Sequence, residues 1–299
     1  MNLLGLIRQI MDELGLQQIA GVIGNQEPSV RQMLALAQRF GRDTQRNWDW
    51  QRLNREHIIT TRAMMLPATT TQGSLIVTVD TTGISPAWGV LGQSVEPFTQ
   101  IASINSPTQA TLNMPAVSTG TGTMQFSQVE YPLPADWKKQ IGQTEWDRTN
   151  RWPLMGPVTP QAWQSFKSGI VYAGPRERFR ILQNTIAVNP PPPAGLLFSF
   201  EYISKNWVIG VDGLRKPEFT ADTDTFVFDE SLMILGVKTL WLQAKGLDYS
   251  IEAAQFANLL NLCKAQDKSA PVLSLQRTGV GRLLTNENIP DGNWGRPQW

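Results

Sequence analysis

One cysteine, Cys263, and one histidine, His57, are all that a chain of 299 residues offers of these two reactive types. An intramolecular disulfide is therefore excluded, and so are cysteine-based zinc and iron–sulfur centres. The single thiol fits a reducing compartment. Metal centres rich in histidine need a second imidazole, so His57, at the start of an extended stretch, reads as structural. Charge is scarce too: charged residues make up 17% of the chain, its net charge is +1 and its pI is about 7.8. This is far from the basic balance of a protein whose main partner is nucleic acid. A surface rich in Gln, Thr, Asn, Pro and Gly suits broad, permanent contacts better than electrostatic steering. No apolar run is long enough to span a bilayer. In "MNLLGLIRQIMDELGL", Arg8, Asp12 and Glu13 interrupt the apolar residues at helical spacing, and no small-residue cleavage site follows. A protein made without an export signal, soluble and away from membranes, is expected.

Tryptophan is plentiful, with eleven against four tyrosines. It supplies large buried area in cores, interfaces and sugar platforms alike. Leu3, Ile7, Ile10 and Leu14 form one stripe, which predicts a short amphipathic helix over 2–14 that needs a partner. Pro28 suits the first position of a second helix, in which Val30, Leu34, Ala37, Gly41, Thr44 and Trp48 recur at threes and fours up to "NWDW". Full burial of Trp48 and Trp50 would contribute roughly 4 to 6 kcal/mol apiece before entropy costs.

From His57 the period changes to two. "HIITTRA", "SLIVTVD", "FTQIASI", "QATLNM" and "GTMQFSQVEY" are short strand-like runs between Gly, Pro, Asn and Ser. They predict a small sandwich or barrel-like module at about 67–131. A short helix is expected after Thr159, with Pro160 leading it. "ERFRIL", "TIAV", "LLFSFEYIS" and "NWVIG" then read as a meander, with "NPPPPAG" as a stiff turn.

"FDESLMILGVKTLWLQAKGLDY", residues 228–249, is helical but leaves only a narrow polar wedge at Ser231, Lys238 and Lys245. Met233, Val237, Leu240, Trp241 and Ala244 fill one flank, and Leu235 and Leu242 reach the other. A central position in a bundle would cover both flanks with the chain itself; a neighbouring subunit could cover the second, and the two readings are compatible. Asp229 is the expected N-cap. In the following helix Tyr249, Ala253, Phe256, Leu260 and Cys263 share one face, so Cys263 is expected in the core. Helices at both chain ends with β structure between them predict an α+β fold. Residues 1–55 and 229–268 supply the bundle, 56–228 an antiparallel β region with the inserted module, and 269–299 an extended arm. The arm has too few regularly spaced apolar residues for its own core, yet Leu283, Leu284, Ile289, Trp294 and Trp299 favour ordering on another protein over a frayed end.

Catalytic constellations are hard to find. No G-x-S-x-G elbow accompanies His57, and a Cys–His dyad would need an exposed Cys263. "DTDTFVFDE" lacks the spacing and central glycine of an EF-hand, so Asp222, Asp224, Asp229 and Glu230 read as a strand edge and a helix cap. "STGTGT" and "TGVGRL" lack the third glycine of a dinucleotide loop and read as turns. Arg39, Arg42 and Arg46 share one helix face and could touch phosphates, as could Arg52, Arg55 and Arg62, but Asp43, Asp49 and Glu56 offset them and a solvated face is the better reading.

Taken in order, "PSVRQMLALAQRFGRDTQRNWDWQRLNREHIITT", "YPLPADWKKQIGQTEWDRT", "LMGPVTPQAWQSFKSG", "RFRILQNTIAVNPPPPAGLLFSFEYISKNWV" and "DTDTFVFDESLMILGVKTLWLQAKGLDY" resemble the head-to-tail adaptor proteins of tailed bacteriophages, of the tail tubular protein A type. The resemblance covers most of residues 28 to 265 and lies in the succession of blocks. It implies a helical bundle bearing a β domain, assembled as a dodecameric ring between the portal protein and the tail nozzle protein at the virion neck, after synthesis in the host bacterial cytoplasm. It implies neither enzymatic activity nor a cofactor. The arm would reach the portal through "NENIPDGNW", with Asn288, Ile289, Pro290, Asp291 and Trp294 in contact. Leu235, Trp241 and Leu242 would serve the seam between subunits, and Arg39, Arg42 and Arg46 would face transiting DNA without sequence preference. Two other readings compete: a Trp-rich carbohydrate-binding module of a phage or bacterial surface protein, and an enzyme acting on cell-wall polymer.

Overall fold

The computed structural model describes residues 1–168 and 177–267. The first helix, α1 (Leu3–Glu13), starts behind Asn2, whose side-chain oxygen accepts from the Gly5 amide at 2.9 Å. It buries Leu3, Leu6, Ile7, Ile10 and Met11, a broader stripe than the spacing of Leu3, Ile7 and Ile10 alone. Pro28 leads α2 (Pro28–Asn47), where its missing N–H is no loss. Trp50, just beyond α2, is buried and donates its indole N–H to the Thr44 carbonyl at 2.8 Å. Trp48 stays half-buried with the Lys264 ammonium 5.2 Å from its ring centre, so full burial holds for one of the two indoles.

A 3-10 turn (Gln51–Leu53) leads into β1 (Asn54–Thr60), β2 (Ala63–Thr70), β3 (Ile76–Val79), β4 (Gly89–Leu91), β5 (Ile101–Ser106), β6 (Gln109–Leu112) and β7 (Gly120–Ser127). The last six form one antiparallel sheet in the order β4-β7-β2-β3-β6-β5. It curls until its edges meet: the Val90 amide donates to Thr99 at 2.8 Å, and Ile101 donates to Trp88 at 2.9 Å. Inside lie Val77, Val79, Val90, Ile101, Ala110, Leu112, Met124 and Phe126, a core of its own. The module thus runs from Ala63 to Ser127 rather than over 67–131, because the strand at 130–132 pairs elsewhere.

Next come β8 (Glu130–Pro132), β9 (Trp137–Gln140), β10 (Trp146–Asp147), β11 (Trp152–Pro153), α3 (Pro160–Lys167), β12 (Arg178–Leu182), β13 (Thr185–Asn189) and β14 (Leu197–Ser204). Thr159 caps α3, accepting from the Ala162 amide at 3.3 Å. The spine of the middle region is β14, which pairs antiparallel with β1, β9 and β10. A second sheet, β12-β13-β8, faces it, and Phe179, Ile186 and Val188 pack with Ile59, Phe198, Phe200 and Tyr202.

A small sheet of β15 (Val208–Ile209), β16 (Arg215–Lys216) and β17 (Thr225–Phe226) precedes α4 (Glu230–Lys245) and α5 (Ser250–Asp267). The fold is α+β. Its largest core joins α1, α2 and α4 to Trp207, Phe219, Phe226 and Phe228. Trp207 packs edge-on against Phe219, with ring centres 4.9 Å apart, and stacks on Phe228 at 5.9 Å. Two glycines make the close packing possible: a methyl group at Gly41 would overlap the Trp207 ring, and one at Gly236 would overlap Phe40. The chain ends of the bundle meet, since Leu3 donates to the Asp224 carbonyl at 2.8 Å and the Met1 amino group pairs with Glu230.

Candidate interaction surfaces

No constellation for catalysis assembles from the candidate residues. The His57 ring packs edge-on against Phe200 at 5.4 Å, and burial holds its pKa below the ordinary imidazole value. Cys263 is not in the core as its helical face suggested. It is half-buried at a shallow recess shared with Trp50, Arg52, Phe228 and Asp229. Burial, followed by the Asp229 charge, raises its thiol pKa, the opposite of what a nucleophile needs.

The carboxylates of "DTDTFVFDE" are occupied by structural bonds. Asp222 accepts from the Ile23 amide at 2.7 Å and from the Val22 amide, tying the α1–α2 loop to the β16–β17 turn. Asp224 is fully buried; burial pushes its pKa up, but bonds from the Thr220 amide, Lys216, the Ala221 amide and the Thr220 hydroxyl outweigh that and hold it low. Asp229 caps α4, accepting from the Leu232 amide at 3.0 Å. Among the described residues, no group of three or more His, Cys, Asp or Glu could hold a metal.

The helix with two apolar flanks is covered by its own chain. Trp241 is 5% exposed and Leu242 8%, and Leu235 is half-buried. Trp241 belongs to the main core, and α4 packs against α1, α2 and α5 together. Trp241 and Leu242 are therefore corrected as seam residues, because their area is already removed from water within one subunit.

Among the described residues, α5 is the helix with an uncovered apolar face. Its inner side is well held: Phe256 packs edge-on against Phe40 at 5.5 Å, and Lys238 on α4 approaches Glu252 at 3.9 Å and Glu13 at 3.1 Å. The Gln51 amide donates to Asp267 at 2.8 Å. Outside, Ile251 is 68% exposed and Leu262 53%, among Ala254, Gln255, Asn258 and Ala265. No exposed position of α5 is charged, since Glu252, Lys264 and Asp267 are all half-buried. A helix resting on a monomeric core ordinarily turns charge to water. Leu247 and Tyr249 extend the exposed apolar surface into the turn before α5. Elsewhere, exposed apolar residues such as Met65, Ile76, Val211 and Leu214 lie on the module or a hairpin tip, which is ordinary for a protein surface.

Arg39, Arg42 and Arg46 are exposed on α2, as their shared face suggested. Two are neutralised by acids: Arg39 lies 3.6 Å from Asp43, and Arg42 lies 2.8 Å from Glu218. Of the tryptophans described, only Trp152 is exposed, at 39%, so no platform of stacked indoles forms there. Asn288, Ile289, Pro290, Asp291 and Trp294 lie outside the described residues, with the rest of the arm. Among those described, no helix is long and apolar enough to cross a membrane. The chain matches no protein-family model and no curated protein.

Proposed function

We propose that the chain is a structural subunit of a multi-copy collar, the ring adaptor between the portal protein and the tail nozzle protein of a tailed bacteriophage. The observation that supports this most is the uncharged outer face of α5, with Ile251 and Leu262 open to water. Ring closure needs heterologous contacts, one face of each subunit against a different face of the next. A lasting seam buries on the order of 1,600 Å² in total. In this reading α5, not α4, lies at the seam. The twelvefold count, the portal and nozzle partners, passage of DNA, the location at the virion neck and the absence of catalysis rest on the family resemblance.

Electron microscopy of mature particles is the direct test: the chain should occupy the density below the portal, and a neck built of other polypeptides would sink the proposal. A complementary test removes residues 270–299, which should leave the bundle folded while weakening attachment to purified portal rings. The carbohydrate-binding reading needs exposed aromatic platforms, and among the described tryptophans only Trp152 is exposed.

A further inference from the structure

Among the described residues, β1 has a strand on one side only. It ends the sheet order β1-β14-β10-β11 and pairs with β14 alone, while β9 and β10 occupy the other side of β14. The Thr61 amide donates to the Leu196 carbonyl at 2.9 Å, and backbone groups alternate between the two edges of a strand. Arg55, His57 and Ile59 therefore give theirs to β14, while Asn54, Glu56, Ile58 and Thr60 turn theirs outward. Those outward groups meet no backbone partner among the described residues. No proline, lysine or bulge blunts the edge, whose register with β14 runs unbroken over all 7 residues. Ile58 is 47% exposed, and the Glu56 carboxylate is drawn to Arg148. An open edge of this kind is a template for one more strand.

The chain itself passes the start of that edge. Asp267, at the end of α5, accepts from the Gln51 amide at 2.8 Å, and Gln51 opens the 3-10 turn that leads directly into β1. Lys264 lies over the Trp48 ring, and Cys263, Gln266 and Asp267 share their recess with Trp50 and Arg52, so the last turn of α5 runs along residues 48–52. The remaining distance is short. A single 3-10 turn advances about 6 Å, whereas residues 268–271, fully extended, span about 13 Å. The sequence then reads "VLSLQRT", residues 272–278, bounded by Pro271 and Gly279 and as long as β1. Leu273 and Leu275 alternate with Ser274 and Gln276, the period of a strand with one apolar face. A segment tethered this closely meets the edge at an effective concentration on the order of millimolar, whereas a second copy must bring its strand from solution.

We propose that residues 272–278 of the same chain add to the free edge of β1 as a parallel strand, fixing the root of the C-terminal arm to the central sheet. The direction follows from the tether, since the segment sets out from the Asn54 end of the edge. The arm then leaves the body near Thr60, with residues 279–299 and the candidate portal contacts still ahead of it. The anchor goes beyond the ring reading and is tested on the isolated full-length chain without a portal, so either can fail without the other.

The test is amide hydrogen exchange, read residue by residue by NMR, in the parent and in Leu275→Pro/Gln276→Pro. Proline at two neighbouring positions removes an N–H from each side of the added strand, so one of them must face β1. In the parent, the outward amides of Glu56, Ile58 and Thr60 should be protected. In the variant they should exchange about tenfold faster or more, while the inward amides of His57 and Ile59 keep their rates. The control Asn286→Pro/Glu287→Pro, beyond the segment, should behave as the parent. Outward amides that already exchange freely in the parent, or stay protected in the variant, overturn the anchor. So does an equal acceleration of inward and outward amides, which would mark a general loosening of β1. Protection that grows with protein concentration would give the edge to a strand of a second copy and overturn the assignment to the chain's own segment.

Discussion

At the scale of single residues, buried carboxylates set the pH behaviour. Asp224 has its pKa lowered in the folded chain, so its contribution is present above the ordinary carboxylate pKa and is lost as pH falls through the lower folded value. Asp224→Asn should destabilise by about 3 kcal/mol near pH 7, and the difference should vanish in acid, as urea unfolding at several pH values would reveal. Glu145 behaves in the opposite sense. It is almost wholly buried, and burial raises its pKa against bonds from nearby amides and Gln140. Its contribution is full below the ordinary carboxylate pKa and is lost as pH rises through the raised one. Glu145→Gln should therefore flatten the loss of stability between acid and neutral pH; an unchanged slope would show that Glu145 is not its source. Steric limits act at Gly41 and Gly236, where Ala should cost about 1 to 3 kcal/mol through overlap with Trp207 and Phe40, measurable as a lower midpoint in denaturant.

At the scale of elements, α4 and α5 exchange the roles their sequences suggested. The apolar residues of α4 encircle it because α1, α2 and α5 surround it. In α5 the sequence shows the inward face through Phe256, Leu260 and Cys263, but Ile251 and Leu262 fall outside it among alanine and amide side chains, so the outer side goes unnoticed. The seam reading predicts that Ile251→Glu/Leu262→Glu leaves the melting temperature within a few degrees, since both side chains already meet water, but prevents rings from forming on portals. Rings assembled at the parental yield, by sedimentation or microscopy, would place the seam elsewhere. Helix starts were readable from local chemistry: Pro28, Pro160 and the Asp229 cap each act within their own turn. The end of the inserted module was not, because its border depends on which sheet the strand at 130–132 joins.

At the scale of the whole molecule, the closed module from Ala63 to Ser127 carries its own core and contains no lysine or arginine. Its first and last residues pair with one another in the ladder between β2 and β7. Replacing the module with a short Gly-Ser linker should leave the bundle and central sheets folded, checked by far-UV circular dichroism and retained thermal cooperativity. Collapse of the whole chain would show instead that contacts such as Phe98 on Phe166, 5.2 Å between ring centres, are essential to it. The order of the blocks, the α+β class, the helix caps and the poverty in reactive side chains are properties of the sequence by itself, because periodicity, capping and composition act over a few residues. Which helix keeps a bare face, which arginines find acids and which stand together depend on residues far apart in the chain: Arg42 meets Glu218 and Arg52 meets Arg215 only once the small sheet docks beside α2 and β1. Those pairings belong to the tertiary structure, since local spacing carries no record of them.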